Sequence, residues 1–246
     1  YMVGDASNAY GKVTSPLWLK RGELSGTQYM PEKGWDENKL DMFRRHIIQL
    51  GTTGVFVIYD ELEGKEPVTW SYLLHTVELP MEIQELTNEV KVIGKNKAGG
   101  VSVAHLFSSA KTEQAMVDTF FCAPTNWKNV TNAQGKALKY PNHWHFSSTT
   151  VPCKTARFLT VMDTHGKNRP DMQVVRKGNT IQVGDWTITC NLTEKGKAAI
   201  YVSNKTEKVS LNYDAGKKEG ATIVTDQVKG KQVNKVLTDY LPDFEI

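Results

Sequence analysis

FRRHIIQLGTTGVFVIYDELEGKEPVTWSYLLHT, residues 43–76, decides the fold, because it holds three apolar runs of strand length. Turn-forming glycine and proline residues separate the runs, which cover 43–50, 55–59 and 68–76. The middle run is continuously apolar and too short for a helix, so it indicates a central strand covered on both faces. We therefore predict an antiparallel meander in which Val57 and Ile58 are both buried.

The rest of the chain repeats this pattern of short strands and turn signals. The sequence KNKAGG suits the exposed turn of a hairpin. Beyond residue 171 the strands become shorter, and the turn signals KGN, VGD and EKGK separate them. No segment has the pattern of an ordinary helix. The strands predicted outside the central meander are 86–94, 100–107, 116–122, 143–148, 156–163, 172–176, 180–183, 186–191, 198–203, 209–211, 222–226 and 233–238.

These elements predict an all-β fold of layered antiparallel β-sheets. A large antiparallel β-sandwich domain is expected over residues 1–166. A smaller C-terminal β-sandwich is expected over residues 167–246, because the spacing of strands and turns changes near residues 166–170. A chain of 246 residues is long enough to bury a core of this kind.

Composition excludes several classes of partner. The hydrophobic fraction of 39% and the charged fraction of 23% are those of an ordinary globular protein. A net charge of +3 is too small to indicate nucleic acid, and no RNA-binding or zinc-finger motif accompanies it. No apolar run approaches the roughly 20 residues of a membrane span. The charge is compatible with an anionic polysaccharide.

Two adjacent arginines in the first strand of the meander are candidates for anion binding. Arg44 and Arg45 point to opposite faces of a strand, because side chains alternate. One of them can pair inward with Asp60 or Glu61 while the other faces solvent. The same planar guanidinium can capture a sulfate or a carboxylate with two hydrogen bonds. The sequence leaves both interpretations open.

The histidines offer a metal-binding pattern that is incomplete. His143 and His145 share one face of a strand, and Trp144 with Phe146 fills the other. Zinc needs three or four ligands, and the sequence nominates no third. We expect no cofactor in this chain, with His143 and His145 as its metal-ligand candidates. His75 ends a strand and is expected to be buried and hydrogen-bonded.

Aromatic and basic residues are interspersed with glycines in residues 1–42. Such residues on a loop can stack on an acidic sugar and pair with its charges. The alternative is a long connection pinned to the sheet by its aromatic rings, which is the commoner outcome for loops of this length. The candidate substrate-binding residues are Trp18, Lys20, Arg21, Tyr29 and Trp35, together with Arg44 and Arg45.

Several segments carry a resemblance to a known family. They are GDASNAYG (4–11), the F-x-R strand with VIYDELE and WSYLLHT inside the meander, and HWHFSSTTVPCKTARFLTVM (143–162). Together they resemble the heparinase II/III-like polysaccharide lyases, in the β-sandwich region that follows the helical catalytic domain. The resemblance extends from Gly4 to Met162.

The resemblance implies a lyase that acts by β-elimination on an acidic, glycosaminoglycan-like polysaccharide. In this reaction a base removes the proton α to a uronic carboxylate, and an acid protonates the leaving oxygen. The resemblance places the acid and its partners on the helical domain, and a histidine and a structural zinc site in strands upstream of GDASNAYG. It therefore implies no catalytic or zinc residue in this chain, which alone is expected to be inactive. A zinc or calcium ion would belong to a longer parent protein.

The start of the chain fits this interpretation. Tyr1-Met2-Val3 has the pattern of the middle of a strand, so we expect the C-terminal portion of a longer precursor. The implied partners are an anionic polysaccharide and the upstream helical domain, and the implied location is periplasmic or secreted. Two alternatives remain. One is a stand-alone carbohydrate-binding module that stacks sugars on Trp18, Tyr29 and Trp35, and the other is a structural β domain with a protein partner.

Overall fold

In the part of the chain that the structure describes, every regular element is a β-strand, and the predicted all-β fold of layered antiparallel sheets is confirmed. The computed structural model describes residues 1–7, 9, 39–77, 79–118, 132–136, 143–217, 222–228 and 231–237. Within these ranges no helix could cross a membrane. The strands are β1 (Met2–Asp5), β2 (Leu40–Gln49), β3 (Val55–Val68), β4 (Ser71–Val77), β5 (Glu82–Leu86), β6 (Glu89–Lys95), β7 (Gly100–Ser108), β8 (Thr112–Val117), β9 (His143–Thr150), β10 (Cys153–Gly166), β11 (Val174–Lys177), β12 (Thr180–Val183), β13 (Trp186–Cys190), β14 (Ala199–Asn204), β15 (Val209–Asp214), β16 (Thr222–Val228) and β17 (Lys231–Leu237).

The strands form three antiparallel sheets. The first sheet has seven strands in the order β1-β2-β3-β10-β7-β6-β5, so the long strands β3 and β10 lie near its centre. The second sheet is a meander of seven strands from β11 to β17. The third sheet has three strands in the order β4-β9-β8.

The first sheet is the middle layer, because each of its faces packs against one of the other sheets. Val57 on β3 and Leu159 on β10 belong to a core shared with the second sheet, which contributes Ile188 and Ile200. The next residue of β10, Phe158, belongs to a separate core shared with the third sheet. Alternation along β10 thus supplies apolar side chains to two cores, as expected for a strand covered on both faces.

The predicted domain boundary lies where the chain leaves the first sheet. β10 ends at Gly166 and β11 begins at Val174. The second sheet buries its apolar face against the first sheet, so the core between them takes residues from both sides of this boundary. The division into two domains stays a prediction, and its test is given in the Discussion.

One of the two burial predictions for the central strand is wrong. Val57 is fully buried, as predicted, but Ile58 is only half-buried. Ile58 and its cross-strand neighbour Ile47 lie on the face of the first sheet that the third sheet covers. Three strands cover only part of a seven-stranded face, so both isoleucines keep contact with solvent.

Replacement of Ile58 by alanine should therefore cost less than a change in the core. We expect a loss of about 1 kcal/mol in the free energy of unfolding, because part of the side chain is already in water. Ile48 on β2, which is 5% exposed, is the matched control and should lose about 2–5 kcal/mol on the same substitution. Urea unfolding of both variants measures the difference. Equal losses would contradict the partial exposure of Ile58.

Candidate functional site

The sequence-predicted site residues fall into two groups. Arg44 and Arg45 lie on β2 of the first sheet and are described in full. The aromatic and basic candidates Trp18, Lys20, Arg21, Tyr29 and Trp35 lie outside the described residues. Of the predicted substrate site, the structure therefore describes only the two arginines.

Arg44 lies between two carboxylates. The strand register places it opposite Asp5 on β1 and Glu61 on β3. Its Nε and Nη2 donate to Asp5 Oδ2 at 3.1 and 3.0 Å, and Nη1 lies 3.3 Å from Glu61 Oε1. Nη1 also donates to the hydroxyl of Tyr213 at 3.2 Å. Because Tyr213 belongs to β15, the guanidinium joins the first and second sheets.

His46 completes this inter-sheet cluster of Asp5, Arg44, His46, Glu61 and Tyr213. The histidine is fully buried, and its ring centroid lies 4.2 Å from that of Tyr213. The Tyr213 hydroxyl donates to Glu61 Oε1 at 2.7 Å. His46 Nε2 lies 3.8 Å from the same oxygen, which is too far for a hydrogen bond.

At neutral pH the cluster holds a neutral Tyr213 and an ionised Glu61. Burial and the negative charge of Glu61 raise the pKa of Tyr213, so its hydroxyl stays neutral. Burial alone would raise the pKa of Glu61, but His46, the Tyr213 hydroxyl and the Arg44 guanidinium lower it below its ordinary value. The neutral phenol donates to the ionised carboxylate, and Arg44 adds ion pairs to Asp5 and Glu61, so the buried cluster has the contacts of a structural network.

Arg45 is also paired, but it keeps a donor. Its Nε and Nη2 donate to the two oxygens of Asp60 at 2.6 and 2.8 Å, and the guanidinium carbon lies 5.2 Å from the centre of the Tyr72 ring. The Asp60 side chain is buried, whereas that of Arg45 is 42% exposed. Nη1 of Arg45 makes no hydrogen bond to any residue that the structure describes. A guanidinium that is fixed by an ion pair, is exposed to solvent and still has an N–H group available can bind an anion.

The contacts of the two arginines thus agree with both interpretations, the ion pair with a carboxylate and the anion-binding site. Each guanidinium forms an ion pair with a buried carboxylate, Arg44 with Glu61 and Arg45 with Asp60. Arg44 is the more deeply buried of the two, with 19% of its side chain exposed, and Arg45 faces solvent although it too has a carboxylate opposite it on β3. Arg45 is the one that retains exposure for a ligand.

The third sheet brings the histidines together. His143 and His145 share the outer face of β9, while Phe146 is buried in the core and Trp144 packs against it, as predicted. His75 is exposed, so the expectation that it is buried is wrong. The reason is the alternation of β4, which turns Tyr72 inward and His75 outward. Among the described residues, no three His, Cys, Asp or Glu side chains are already arranged around a metal position.

A polar cavity of about 380 Å³ lies between the β5–β6 turn, the β7–β8 connection and Arg176 on β11. Lys111, Gln114 and Arg176 contribute to its lining. Arg176 is held there by stacking on the ring of Phe107, with its guanidinium carbon 5.1 Å from the ring centre. The volume lies in the range of small-ligand sites, and the lining can form hydrogen bonds with a sugar.

Sequence reasoning missed Tyr213 and assigned His75 to the wrong environment. Tyr213 meets Glu61 across 152 positions, and no local pattern predicts which strands of two sheets face each other. His75 could have been recognised as outward-facing, since it alternates with Tyr72 in a predicted strand. Its position beside His145 depends on the pairing of β4 with β9, which the sequence does not reveal.

Comparison of the sequence with family models and with curated proteins found no match. The assignment of a function therefore rests on the residues and their geometry.

Proposed function

We propose that the chain is the β-sandwich portion of a heparinase II/III-like polysaccharide lyase that acts on an acidic, glycosaminoglycan-like polysaccharide by β-elimination. The observation that supports this proposal is the way the family-like segments meet. They come from three parts of the sequence, 4–11, 43–76 and 143–162, and they supply β1, β2, β3 and β10 of the first sheet, which are consecutive neighbours, and the paired strands β4 and β9 of the third. A resemblance by chance has no reason to concentrate in adjoining strands.

Side chains from three of these segments also bond to one another. Asp5 comes from GDASNAYG, Arg44 from the F-x-R strand and Glu61 from VIYDELE. They form one ion-pair chain across β1, β2 and β3. The family-like residues thus act together as a structural unit, which suits a domain that supports a separate catalytic domain.

In the proposed lyase this chain lines the cleft rather than supplying the acid and base. The Tyr213 hydroxyl donates to Glu61, so this tyrosine is not positioned to protonate a leaving group. Arg45 instead offers a fixed positive charge, which can neutralise a uronic carboxylate or bind a sulfate. The partners under this proposal are the polysaccharide and an upstream helical domain, in a periplasmic or secreted protein.

The test compares the chain with the product of its complete reading frame. Heparin, heparan sulfate and alginate are incubated with each protein, and the absorbance of the unsaturated product is followed. We expect turnover by the longer protein and none by this chain alone. In the longer protein, Arg45→Ala should lower kcat/KM by about tenfold or more, because loss of a charge-assisted hydrogen bond costs about 1.5–3 kcal/mol.

The control for Arg45 is Lys65→Ala, which removes an exposed positive charge from β3. It should leave kcat/KM unchanged. Turnover by the chain alone above that of a heat-killed sample would contradict the proposal that this chain does not supply the acid and the base. The absence of turnover by the longer protein on every acidic polysaccharide would contradict the lyase itself.

A stand-alone carbohydrate-binding module is the second candidate, and the polar cavity at Arg176 favours it. On this proposal the chain alone binds a sugar with full affinity, and Arg176→Ala weakens the binding. Calorimetry with heparin oligosaccharides separates the two candidates. Binding that depends on Arg176 but not on Arg45 favours the module over the lyase portion.

A further inference from the structure

Three histidines occupy adjacent positions on the outer face of the third sheet. His75 on β4 is directly opposite His145 on β9, and Val77 is opposite His143. His143 and His145 are two residues apart, so their side chains leave β9 on the same side. The register therefore supplies the third histidine that the sequence alone did not nominate.

Two of the three imidazole rings already lie close to each other. The ring centroids of His75 and His145 lie 4.5 Å apart in an edge-to-face contact. Two nitrogens that share a zinc ion at about 2.0–2.1 Å lie within roughly 4 Å of each other, so small rotations suffice for both rings to contact one ion. His75 and His143 are exposed, whereas His145 is 8% exposed.

The side chains on this face of the third sheet indicate which kind of metal ion could bind there. In the strand register, Val77 lies opposite His143 and Val117 lies opposite His145, so the histidines have apolar cross-strand neighbours. Imidazole suits zinc, copper and nickel, whereas calcium and magnesium require oxygen ligands.

We propose that His75, His143 and His145 form a binding site for a divalent transition-metal ion, with zinc as the preferred ion. Three imidazoles leave the fourth position of a tetrahedral zinc ion open for water or another ligand. In the observed side-chain arrangement the three rings do not yet enclose a metal position. Binding therefore includes a rotation of the exposed rings of His75 and His143 toward His145. This inference is independent of the proposed lyase function.

The experiment titrates the metal-free chain, prepared without a histidine tag, with Co²⁺ and Zn²⁺. Cobalt binding is followed by visible absorption, which is intense for a tetrahedral ion and weak for an octahedral one, and zinc binding by calorimetry. We expect one ion per chain and a tetrahedral cobalt spectrum without the near-ultraviolet band of a thiolate ligand. At a zinc concentration of 100 times Kd, the Tm should rise by about 5–10 °C.

Three variants identify the ligands. His75→Gln and His143→Gln change exposed side chains, so both proteins should fold, and each should weaken zinc binding by about tenfold or more. His165→Gln is the control, because His165 lies on β10 and contacts Asp171 through Nε2 at 3.1 Å. It should bind zinc as the wild type does. The proposal is overturned if the wild type binds no stoichiometric ion, or if either His75→Gln or His143→Gln retains full affinity. Loss of binding in His165→Gln alone would overturn it as well.

Discussion

Replacement of Glu61 by alanine is expected to lower the free energy of unfolding by about 3–5 kcal/mol, the cost of removing one member of a buried ion pair. Glu61 is 2% exposed and accepts the hydrogen bond of the Tyr213 hydroxyl. Without it, the phenol loses its acceptor and the Arg44 guanidinium loses an ionic partner, while its ion pair with Asp5 remains. Urea unfolding, followed by circular dichroism, measures the loss.

The pH dependence isolates the charge of Glu61. Its folded-state pKa lies below the ordinary value of 4.5, so the ionised carboxylate stabilises the fold above pH 4.5. This stabilisation is lost as the pH falls through the folded-state pKa. The difference in stability between wild type and Glu61→Ala should therefore be constant near neutral pH and shrink in acid.

The matched control is Glu66→Ala, which removes an exposed carboxylate from the same strand. Its free energy of unfolding should stay within about 0.5 kcal/mol of the wild-type value. A loss below 1 kcal/mol for Glu61→Ala, or a difference that does not change with pH, would contradict the role of the inter-sheet cluster.

The same ion pairs explain why one strand is longer than its sequence suggests. The apolar run predicts a strand over residues 55–59, but β3 continues to Val68. Asp60 and Glu61 follow the run, and a pattern of apolar residues treats such charges as the end of a strand. In the fold they are buried opposite Arg45 and Arg44, so the strand continues through them.

The short strands of the second sheet were easier to predict. The strand over residues 180–183 is confirmed in full, and that over 186–191 differs by one residue. Gly178 and Gly184, which flank the first of them, adopt φ values of 61° and 54°. Only glycine adopts such values without strain, so turn signals of this kind mark strand ends in the sequence itself.

The positions of the candidate sites could not be predicted in the same way. Both depend on strand register and on sheet packing, which connect residues far apart in sequence. Arg44 meets Tyr213 only because the second sheet covers the first, and His75 meets His145 only because β4 pairs with β9. A one-residue slip of that register would move His75 to the other face.

Replacement of Phe158 by alanine is the second large effect that we expect, with a loss of about 3–5 kcal/mol in the free energy of unfolding. Phe158 is 1% exposed, and its ring centroid lies 5.8 Å from that of Tyr72 on the third sheet. The next residue, Leu159, is fully buried on the opposite face, in the core shared with the second sheet. Leu159→Ala should cost about 2–5 kcal/mol.

The pair of variants tests whether the layers unfold together. The second sheet buries its apolar face only against the first, so Phe158→Ala should destabilise both although it contacts the third. We expect a single transition for each variant, with coincident curves from circular dichroism and tryptophan fluorescence. Two transitions, of which Phe158→Ala shifts one and leaves the other in place, would instead show that residues 167–246 unfold as the separate domain predicted from the sequence. A loss below 1 kcal/mol for Phe158→Ala would contradict its place in the core, because a cavity of that size cannot form without cost between two packed sheets.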